Sequence, residues 1–187
     1  LDGLGFRRCV TADYTVTVDG LILQNGYARD GGGMLFGMAR NCLFTNNMAS
    51  SDGAGIYSGT AVNCVFSNNF SRIAGGGAFN ATCVNCTFLG NSSSYYGGGS
   101  CLGEAVNCVF WKNKPDDTSS TLVSHSCLET PTEGPGNISA DPCFVGLWPE
   151  DLRLRSNSPC VDTGTPSGAP PADMLGRARP AGARVDM

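Results

Sequence analysis

Residues 61–69 read AVNCVFSNN, and three close variants of this nonapeptide stand elsewhere in the chain: ARNCLFTNN, CVNCTFLGN and AVNCVFWKN. Each copy follows the last by 22 residues, the difference between 63 and 41, because the Asn-Cys pair begins at Asn41, Asn63, Asn85 and Asn107. The glycine clusters GGGML, GAGIY, GGGAF and GGGSC keep the same period. Fixed self-similarity at this length predicts a solenoid, in which each repeat buries its apolar face against its neighbours.

The pattern inside one repeat indicates strands. Val62, Cys64 and Phe66 alternate with other residues at a period of two, which is typical of strands and not of helices. No segment has the three-and-four spacing of an amphipathic helix, and the leucine pattern of leucine-rich repeats is missing. Because strands stacked in register form parallel sheets, a chain that returns to the same place every 22 residues winds as an all-β parallel β-helix.

Each position of the repeat then becomes a column along the solenoid. We predict that a cysteine column and a phenylalanine column point inward and that an asparagine column forms a corner, since Asn tolerates a left-handed backbone and its amide can bond to the coils on either side. The glycine clusters mark a second corner. The three predicted columns are Cys42, Cys64, Cys86 and Cys108, with Cys127 added if the last coil is shorter; Ile22, Phe44, Phe66, Phe88 and Phe110; and Asn25, Asn47, Asn69, Asn91 and Asn113.

The same register extends upstream and contains one exception. One step before the first clear repeat, Asp19 falls on the Asn41 position. Arg40 falls in a valine column with Val62, which we interpret either as a side chain whose stem leaves the core or as a local bulge.

The glycine clusters and the FTNN, FSNN, FLGN and FWKN segments together resemble the GGA-I and F-x-x-N repeats of the polymorphic outer-membrane protein family. More broadly, the chain is similar to the pectate-lyase-like proteins of bacteria, which implies a single-stranded right-handed parallel β-helix. The resemblance covers about residues 15 to 140. Many unrelated activities occur on that solenoid, so the likeness implies a fold and not an activity.

We divide the chain into β-helix coils, residues 1–140, and a C-terminal capping segment of the same domain, residues 141–187. The second part resembles the ending of secreted bacterial β-helix proteins, with the pattern DP-x-F, D-x-R-L, SP-x-x-D-x-G and VD. An uncovered solenoid end exposes strand edges that invite aggregation, so a cap is expected. Its predicted anchors are Leu152, Leu154, Val161 and Met174.

Composition limits the partners. The net charge of −4 and the pI near 4.8 argue against nucleic acid as a partner, and no apolar run approaches the ~20 residues of a membrane span. The chain lacks an initiator Met and a signal-peptide pattern. We therefore expect a secreted or cell-surface protein of bacterial origin whose export signal and anchor lie outside these residues. Arg177, Arg179 and Arg184 are expected in a solvated tail.

The ten cysteines allow three interpretations. The favoured one is a reduced, packed column, because a buried thiol behaves as a small hydrophobe and Ala39, Ala61 and Ala105 share the position of Cys83. Disulfides are the second, with Cys143 and Cys160 as the preferred pair. A metal site is the third and the least supported, since the chain has no C-x-x-C motif and only one histidine.

The strongest candidate for a metal site is a pair of carboxylates on adjacent coils. Asp30 and Asp52 lie one period apart, just before the glycine clusters, and could hold Ca²⁺ together with backbone oxygens. Ala74 and Tyr96 occupy the next two positions of that column, so solvated turn residues are the alternative. No other cofactor is indicated.

No catalytic residues are predicted. The acid-and-base motifs of pectate lyases and polygalacturonases are missing, paired carboxylates do not recur, and the lone His125 is interpreted as structural. Tyr95, Tyr96 and Trp111 could stack on sugar rings and form the predicted ligand-binding residues.

Three functions therefore remain open. The first is a non-catalytic scaffold for adhesion, or for binding a polysaccharide or a surface protein. The second is a polysaccharide lyase or glycoside hydrolase, with active coils outside this chain. The third is a structural spacer with no ligand. The missing motifs lean against an enzyme.

Overall fold

The computed structural model describes residues 1–146 and 151–187 and contains short strands joined by tight corners. In chain order the strands are β1 (Val10–Thr11), β2 (Thr17–Asp19), β3 (Ile22–Gln24), β4 (Tyr27–Ala28), β5 (Met34–Leu35), β6 (Met38–Arg40), β7 (Leu43–Thr45), β8 (Met48–Ala49), β9 (Ile56–Tyr57), β10 (Thr60–Val62), β11 (Val65–Ser67), β12 (Phe70–Ser71), β13 (Ala78–Val84), β14 (Thr87–Leu89), β15 (Ser92–Ser93), β16 (Ser100–Val106), β17 (Val109–Trp111), β18 (Thr118–Ser119), β19 (Leu122–Ser124), β20 (Cys127–Leu128) and β21 (Ile138–Ser139).

The strands form three parallel sheets that run along the solenoid. The seven-stranded sheet has the order β21-β20-β17-β14-β11-β7-β3, and the four-stranded sheet has the order β15-β12-β8-β4. The remaining strands form the ten-stranded sheet. Each central strand pairs with the strand one coil away, as Phe66 does with Phe44 and Phe88. This confirms the predicted all-β solenoid with coils about 22 residues apart, here about five turns. Among the described residues there is no helix that could cross a membrane.

Each complete coil turns at four corners, and each corner has one or two residues with a left-handed backbone. In the coil that starts at Gly53, these residues are Gly53, Ser58, Asn63 and Asn68, with φ values of 62°, 51°, 54° and 54°. Gly and Asn adopt this conformation at the lowest cost, which explains why the repeat is rich in both. The glycine corner is as predicted. The asparagine corner lies one residue earlier than predicted, at Asn46 and Asn68 and not at Asn47 and Asn69.

The buried asparagines Asn47, Asn69, Asn91 and Asn113 form an inner asparagine ladder between the seven-stranded and four-stranded sheets. Asn69 is fully buried, and its Nδ2 donates to Phe44 O at 3.0 Å and to Asn91 Oδ1 at 2.9 Å. Its Oδ1 accepts from the backbone N–H and from Nδ2 of Asn47, both at 3.0 Å. Every polar atom of the side chain is therefore satisfied inside the core, as burial requires.

A phenylalanine stack lies beside this ladder. Phe44, Phe66, Phe88 and Phe110 are fully buried, with ring centroids 4.5–4.7 Å apart and interplanar angles of 5–11°. The glycine at the third position of each cluster lies against a ring edge: a Cβ on Gly77 would be 2.7 Å from Phe88 Cδ1. The glycine clusters thus supply a left-handed corner and then room for a ring.

The predicted cysteine column is correct for four members. Cys42, Cys64, Cys86 and Cys108 are buried free thiols, and each donates a hydrogen bond to the carbonyl two residues earlier, at 3.0–3.4 Å. Burial raises the pKa of the Cys64 thiol well above its ordinary value. Cys64 therefore remains protonated, and all four buried thiols act as small core residues.

The prediction for Cys127 is wrong. The last coil is shorter, as Val109 pairs with Cys127. The next place in the cysteine column is therefore taken by Ser126, whose Oγ accepts from Cys108 N–H at 2.9 Å. Cys127 lies in the outer column of Val109.

The predictions for the first coil are also wrong by one residue. Ile22 pairs with Leu43, and Leu23 pairs with Phe44, so the offset is 21 residues. Leu23 is accordingly buried in the phenylalanine column, whereas Ile22 is 52% exposed.

The same offset displaces Asp19 and Asn25. Asp19 pairs with Arg40, and Gly26 replaces Asn25 in the inner ladder by donating its N–H to Asn47 Oδ1 at 2.8 Å. Asn25 is instead a left-handed corner residue. The first coil is one residue shorter than the next, and the gap lies after β4. Ala28 pairs with Ala49, an offset of 21, whereas Arg29 O accepts from Ser51 N–H, an offset of 22.

Arg40 requires neither a bulge nor a stem that leaves the core. The inward residues of the coil around β10 and β11 are Ala61, Cys64 and Phe66, because the left-handed Asn63 separates Val62 from Cys64. The column of Val62 and Arg40 therefore points outward, and Arg40 is exposed.

Asn69→Ala should lower the free energy of unfolding by about 3–5 kcal/mol, since it leaves Asn47 donors and Phe44 O unpaired in the core. Asn68→Gly is the matched control, because Asn68 is exposed with φ 54° and Gly90 fills that place one coil later. It should change stability by less than about 1 kcal/mol. Urea denaturation of the native protein and of both variants measures these free energies of unfolding. An equal loss of stability in the two variants would contradict a special role for the inner ladder.

The inner ladder ends on a buried carboxylate, which makes stability depend on pH. Asn113 Nδ2 donates to Asp117 Oδ1 at 2.9 Å, and Glu129 N–H donates to Asp117 Oδ2 at 2.7 Å. Burial nevertheless raises the pKa of Asp117 above 3.8. A raised pKa in the folded state means that the folded protein binds this proton more tightly than the unfolded chain does.

The stability of the native protein relative to Asp117→Asn should therefore be greatest at low pH. It should fall as the pH rises from about 4 through the raised pKa and then become constant. Unfolding free energies of both proteins at pH 3.5–7.5 test this. A relative stability that rises over the same range would mean that the two hydrogen bonds outweigh burial.

Candidate functional site

The two tyrosines predicted to bind ligand lie together at a corner of the coil. Tyr95 and Tyr96 follow β15 and are 64% and 58% exposed, with ring centroids 6.3 Å apart and planes inclined at 37°. Their backbone is held by the previous coil, because Ile73 O accepts from both N–H groups, at 3.2 and 3.3 Å. Two amphipathic rings therefore project into solvent from a fixed backbone, as at many binding surfaces.

Trp111 does not belong to that pair. It lies in β17 on the outer face of the seven-stranded sheet, where it packs against a buried cluster formed by Val109, Cys127, Phe144 and Cys160. We call this group the end cluster. No ring contact joins Trp111 to either tyrosine within the described ranges. The structure therefore places Trp111 under the C-terminal segment, where it contributes to packing.

Asp30 and Asp52 are neighbours, as the period predicts. Asp52 N–H donates to Asp30 Oδ1 at 3.3 Å, and Ser51 Oγ donates to Asp52 Oδ2 at 2.7 Å. The guanidinium of Arg8 donates to Asp30 O and Gly31 O, at 2.8 and 2.9 Å. A cation at this place would face that positive charge, and Ca²⁺ takes six to eight oxygen ligands.

No group of three or more His, Cys, Asp or Glu residues is placed to hold a metal ion in residues 1–146 and 151–187. The calcium prediction thus depends on two half-buried carboxylates beside an arginine.

Most carboxylates of the chain serve as backbone caps. An acid that accepts a backbone hydrogen bond is held in place by the chain, and this fixed structural position does not suit proton transfer to a substrate. Eleven of the 16 acidic residues accept from a backbone N–H: Asp2, Asp13, Asp30, Asp116, Asp117, Glu129, Asp141, Asp151, Asp162, Asp173 and Asp186.

His125 is a corner residue after β19, with φ 46°. Its N–H donates to Pro135 O at 2.8 Å, and its ring lies against Gly136, where an added Cβ would be 2.5 Å from His125 Cδ2. Its contacts agree with a structural role.

The first asparagine of each AVNCVF-like segment has a function that the sequence analysis missed. Asn41, Asn63, Asn85 and Asn107 form an outer asparagine column of left-handed corner residues. The side-chain amide of Asn107 makes two hydrogen bonds with the backbone of Thr165. Asn107 Nδ2 donates to Thr165 O, and Asn107 Oδ1 accepts from Thr165 N–H, both at 2.8 Å. Asn63 and Asn85 donate to Ala172 O and Asp186 O, at 2.8 and 3.1 Å. The C-terminal segment therefore lies along the side of the solenoid.

Arg179 is part of this attachment and does not lie in a solvated tail. Its Nη1 donates to Asn63 Oδ1 at 2.6 Å, and burial lowers its pKa. Arg177 and Arg184 are exposed, as expected.

The four predicted anchors of the C-terminal segment, Leu152, Leu154, Val161 and Met174, are only half-buried. Among the described residues of that segment, the buried apolar ones are Pro142, Phe144, Cys160 and Val185.

A cleft of about 890 Å³ lies between the C-terminal segment and the seven-stranded sheet. Val65 and Thr87 belong to its solenoid wall, and Leu152, Leu154 and Met174 line the opposite wall. Arginine and aspartate side chains line it as well, and several already bond to the chain: Arg153 to Asp151, Arg155 to Val145 O and Arg179 to Asn63. Its size would admit a small molecule.

Comparison with protein-family models finds no match, and comparisons with curated proteins and with solved structures find none either.

Asn107→Gly should loosen the C-terminal segment while leaving the corner intact, because Gly adopts a positive φ freely. The loss of two hydrogen bonds costs about 1–2 kcal/mol locally, so amide exchange near Thr165 should accelerate about tenfold. Asn41→Gly is the matched control: it shares the column and the φ, but its amide donates to Asp19. Exchange near Thr165 that is equally fast in both variants would contradict the attachment.

Proposed function

We propose that this chain is a non-catalytic solenoid, exported or displayed on a cell surface, which binds a glycan or a partner protein at Tyr95 and Tyr96. The observation that carries the proposal is the pair of exposed rings on a backbone fixed by the neighbouring coil. Flat amphipathic rings stack on sugars and contribute strongly to binding surfaces. Ile73, at 42% exposure, adds apolar surface next to them.

The use of the carboxylates supports a binder over an enzyme. Glycosidases of the common type need two carboxyl groups on either side of the scissile bond, one of them protonated. Asp117 has a raised pKa, but it is 4% exposed and both its oxygens accept hydrogen bonds from the chain. The proposed relation to the pectate-lyase-like proteins and to the polymorphic outer-membrane repeats concerns the scaffold, and the bacterial origin and export are proposed with it.

A glycan array and a panel of plant and bacterial polysaccharides, with and without Ca²⁺, test this function. We expect binding without cleavage, and Tyr95→Ala/Tyr96→Ala should weaken it at least about tenfold because two stacking rings are lost. Tyr27→Ala is the control, since Tyr27 is 40% exposed on β4, away from the corner.

Three results would count against the proposal. Release of unsaturated or reducing ends would favour the lyase or hydrolase alternative. If the Tyr95→Ala/Tyr96→Ala variant binds as well as the Tyr27→Ala control, the binding site lies elsewhere. An absence of binding to every glycan and to any surface protein would favour a spacer. A dependence of binding on Ca²⁺ would direct attention to Asp30 and Asp52.

A further inference from the structure

The end cluster brings together two cysteines that lie far apart in the sequence. Cys127 belongs to β20 on the outer face of the last coil, and Cys160 lies in the C-terminal segment. Both side chains are 0% exposed and share the cluster with Val109 and Phe144. The two side chains thus share one buried cluster where the C-terminal segment is attached to the solenoid.

The backbone on each side of this contact is held in place. Cys127 N–H donates to Cys108 O at 2.9 Å, and β20 pairs with β21. Cys160 N–H donates to Ser158 Oγ at 3.1 Å, and Cys160 O accepts from Met187 N–H at 3.1 Å. Two thiols that are fixed in one cluster need little rearrangement to become linked.

The two thiols are chemically unequal. Interaction with the Cys160 side chain lowers the pKa of Cys127 below its ordinary value. The same interaction, together with burial, raises the pKa of Cys160. Since the thiolate is the reactive form, Cys127 is the residue prepared to react first. Cys64 in the inner cysteine column differs, because burial strongly raises its pKa.

We propose that Cys127 and Cys160 form a disulfide that links the C-terminal segment to the last coil, with a hydroperoxide as the oxidant. The Cys127 thiolate attacks a peroxide oxygen; the O–O bond breaks and the leaving oxygen takes a proton to become water or an alcohol. The Cys160 sulfur then attacks the sulfenic sulfur of Cys127; the S–O bond breaks, and the Cys160 proton leaves with the hydroxyl as water. The two thiols lose two electrons, and one hydroperoxide is reduced.

This inference does not depend on the binding role of Tyr95 and Tyr96. It also differs from the pairing expected from the sequence, which joins Cys143 to Cys160. Cys143 is half-buried outside the end cluster, and its N–H is turned toward Asp141 Oδ1 at 2.8 Å.

The test uses the full chain, reduced and then treated with one equivalent of hydrogen peroxide. Thiol titration should fall from ten to eight, and peptide mapping without reduction should find Cys127 joined to Cys160. Because the link closes a loop of 33 residues, from 127 to 160, the thermal midpoint should rise by about 5–10 °C and return on reduction with dithiothreitol.

Cys127→Ser should abolish the midpoint shift, while Cys143→Ser should preserve it. If a variant fails to fold, peptide mapping of the unsubstituted chain still shows whether Cys127 is joined to Cys160. A Cys143–Cys160 link, a link within the inner cysteine column, or ten thiols that remain after peroxide treatment would each overturn the proposal.

Discussion

The hydrogen bond from one asparagine amide to the next is the interaction on which the solenoid depends. A primary amide buried in a core must find partners for two donors and one carbonyl oxygen. Asn69 finds them only if identical residues stand one coil away on both sides and if Phe44 O lies within reach. The requirement fixes the coil length at 22 residues wherever two ladder members are stacked, and it explains why the period does not drift between Asn47 and Asn113.

Two other constraints follow from that fixed length. Left-handed residues turn the chain at four corners of each coil. Gly and Asn are favoured at those places, although Phe36, Leu102 and Lys112 also adopt this backbone. The phenylalanine stack fills the space next to the ladder, and it leaves no room for a side chain on the glycine that faces each ring. The ladder asparagine, the stacked phenylalanine and the glycine against its ring thus depend on one another, and the sequence repeats all three together.

Most of the repeating structure could be predicted, and the parts that do not repeat could not. Parallel coils and the stacked columns of Cys64, Phe66 and Asn69 follow from periodicity. The corner at Asn68 does not, because periodicity leaves open which residue of the Asn-Asn pair turns the chain. The first coil was misplaced because one residue is missing after Ala28, and no single-residue gap is visible in a sequence without a clear motif there. Arg40 was assigned inward because alternation was extended through Asn63, whose left-handed backbone interrupts it.

The candidate site follows the same division. Neighbouring aspartates, Asp30 and Asp52, could be predicted from the period. The position of Trp111 beside the end cluster could not, because the segment that covers it has no repeat. The role of Asn107 could have been inferred from the sequence. Glycine would suffice for the left-handed corner, so an asparagine that recurs there indicates that its side-chain amide is used.

The inner ladder also has an electrostatic direction. Every hydrogen bond between two ladder side chains points the same way, from the Nδ2 of Asn47 toward Asn69, Asn91 and Asn113. Aligned amide dipoles add, as they do along a helix, and place partial positive charge at one end and partial negative charge at the other. The positive end meets the Asp117 carboxylate, and the negative end accepts from Gly26 N–H and from the Cys9 thiol. The solenoid core is therefore a polarised row whose two ends carry complementary partners.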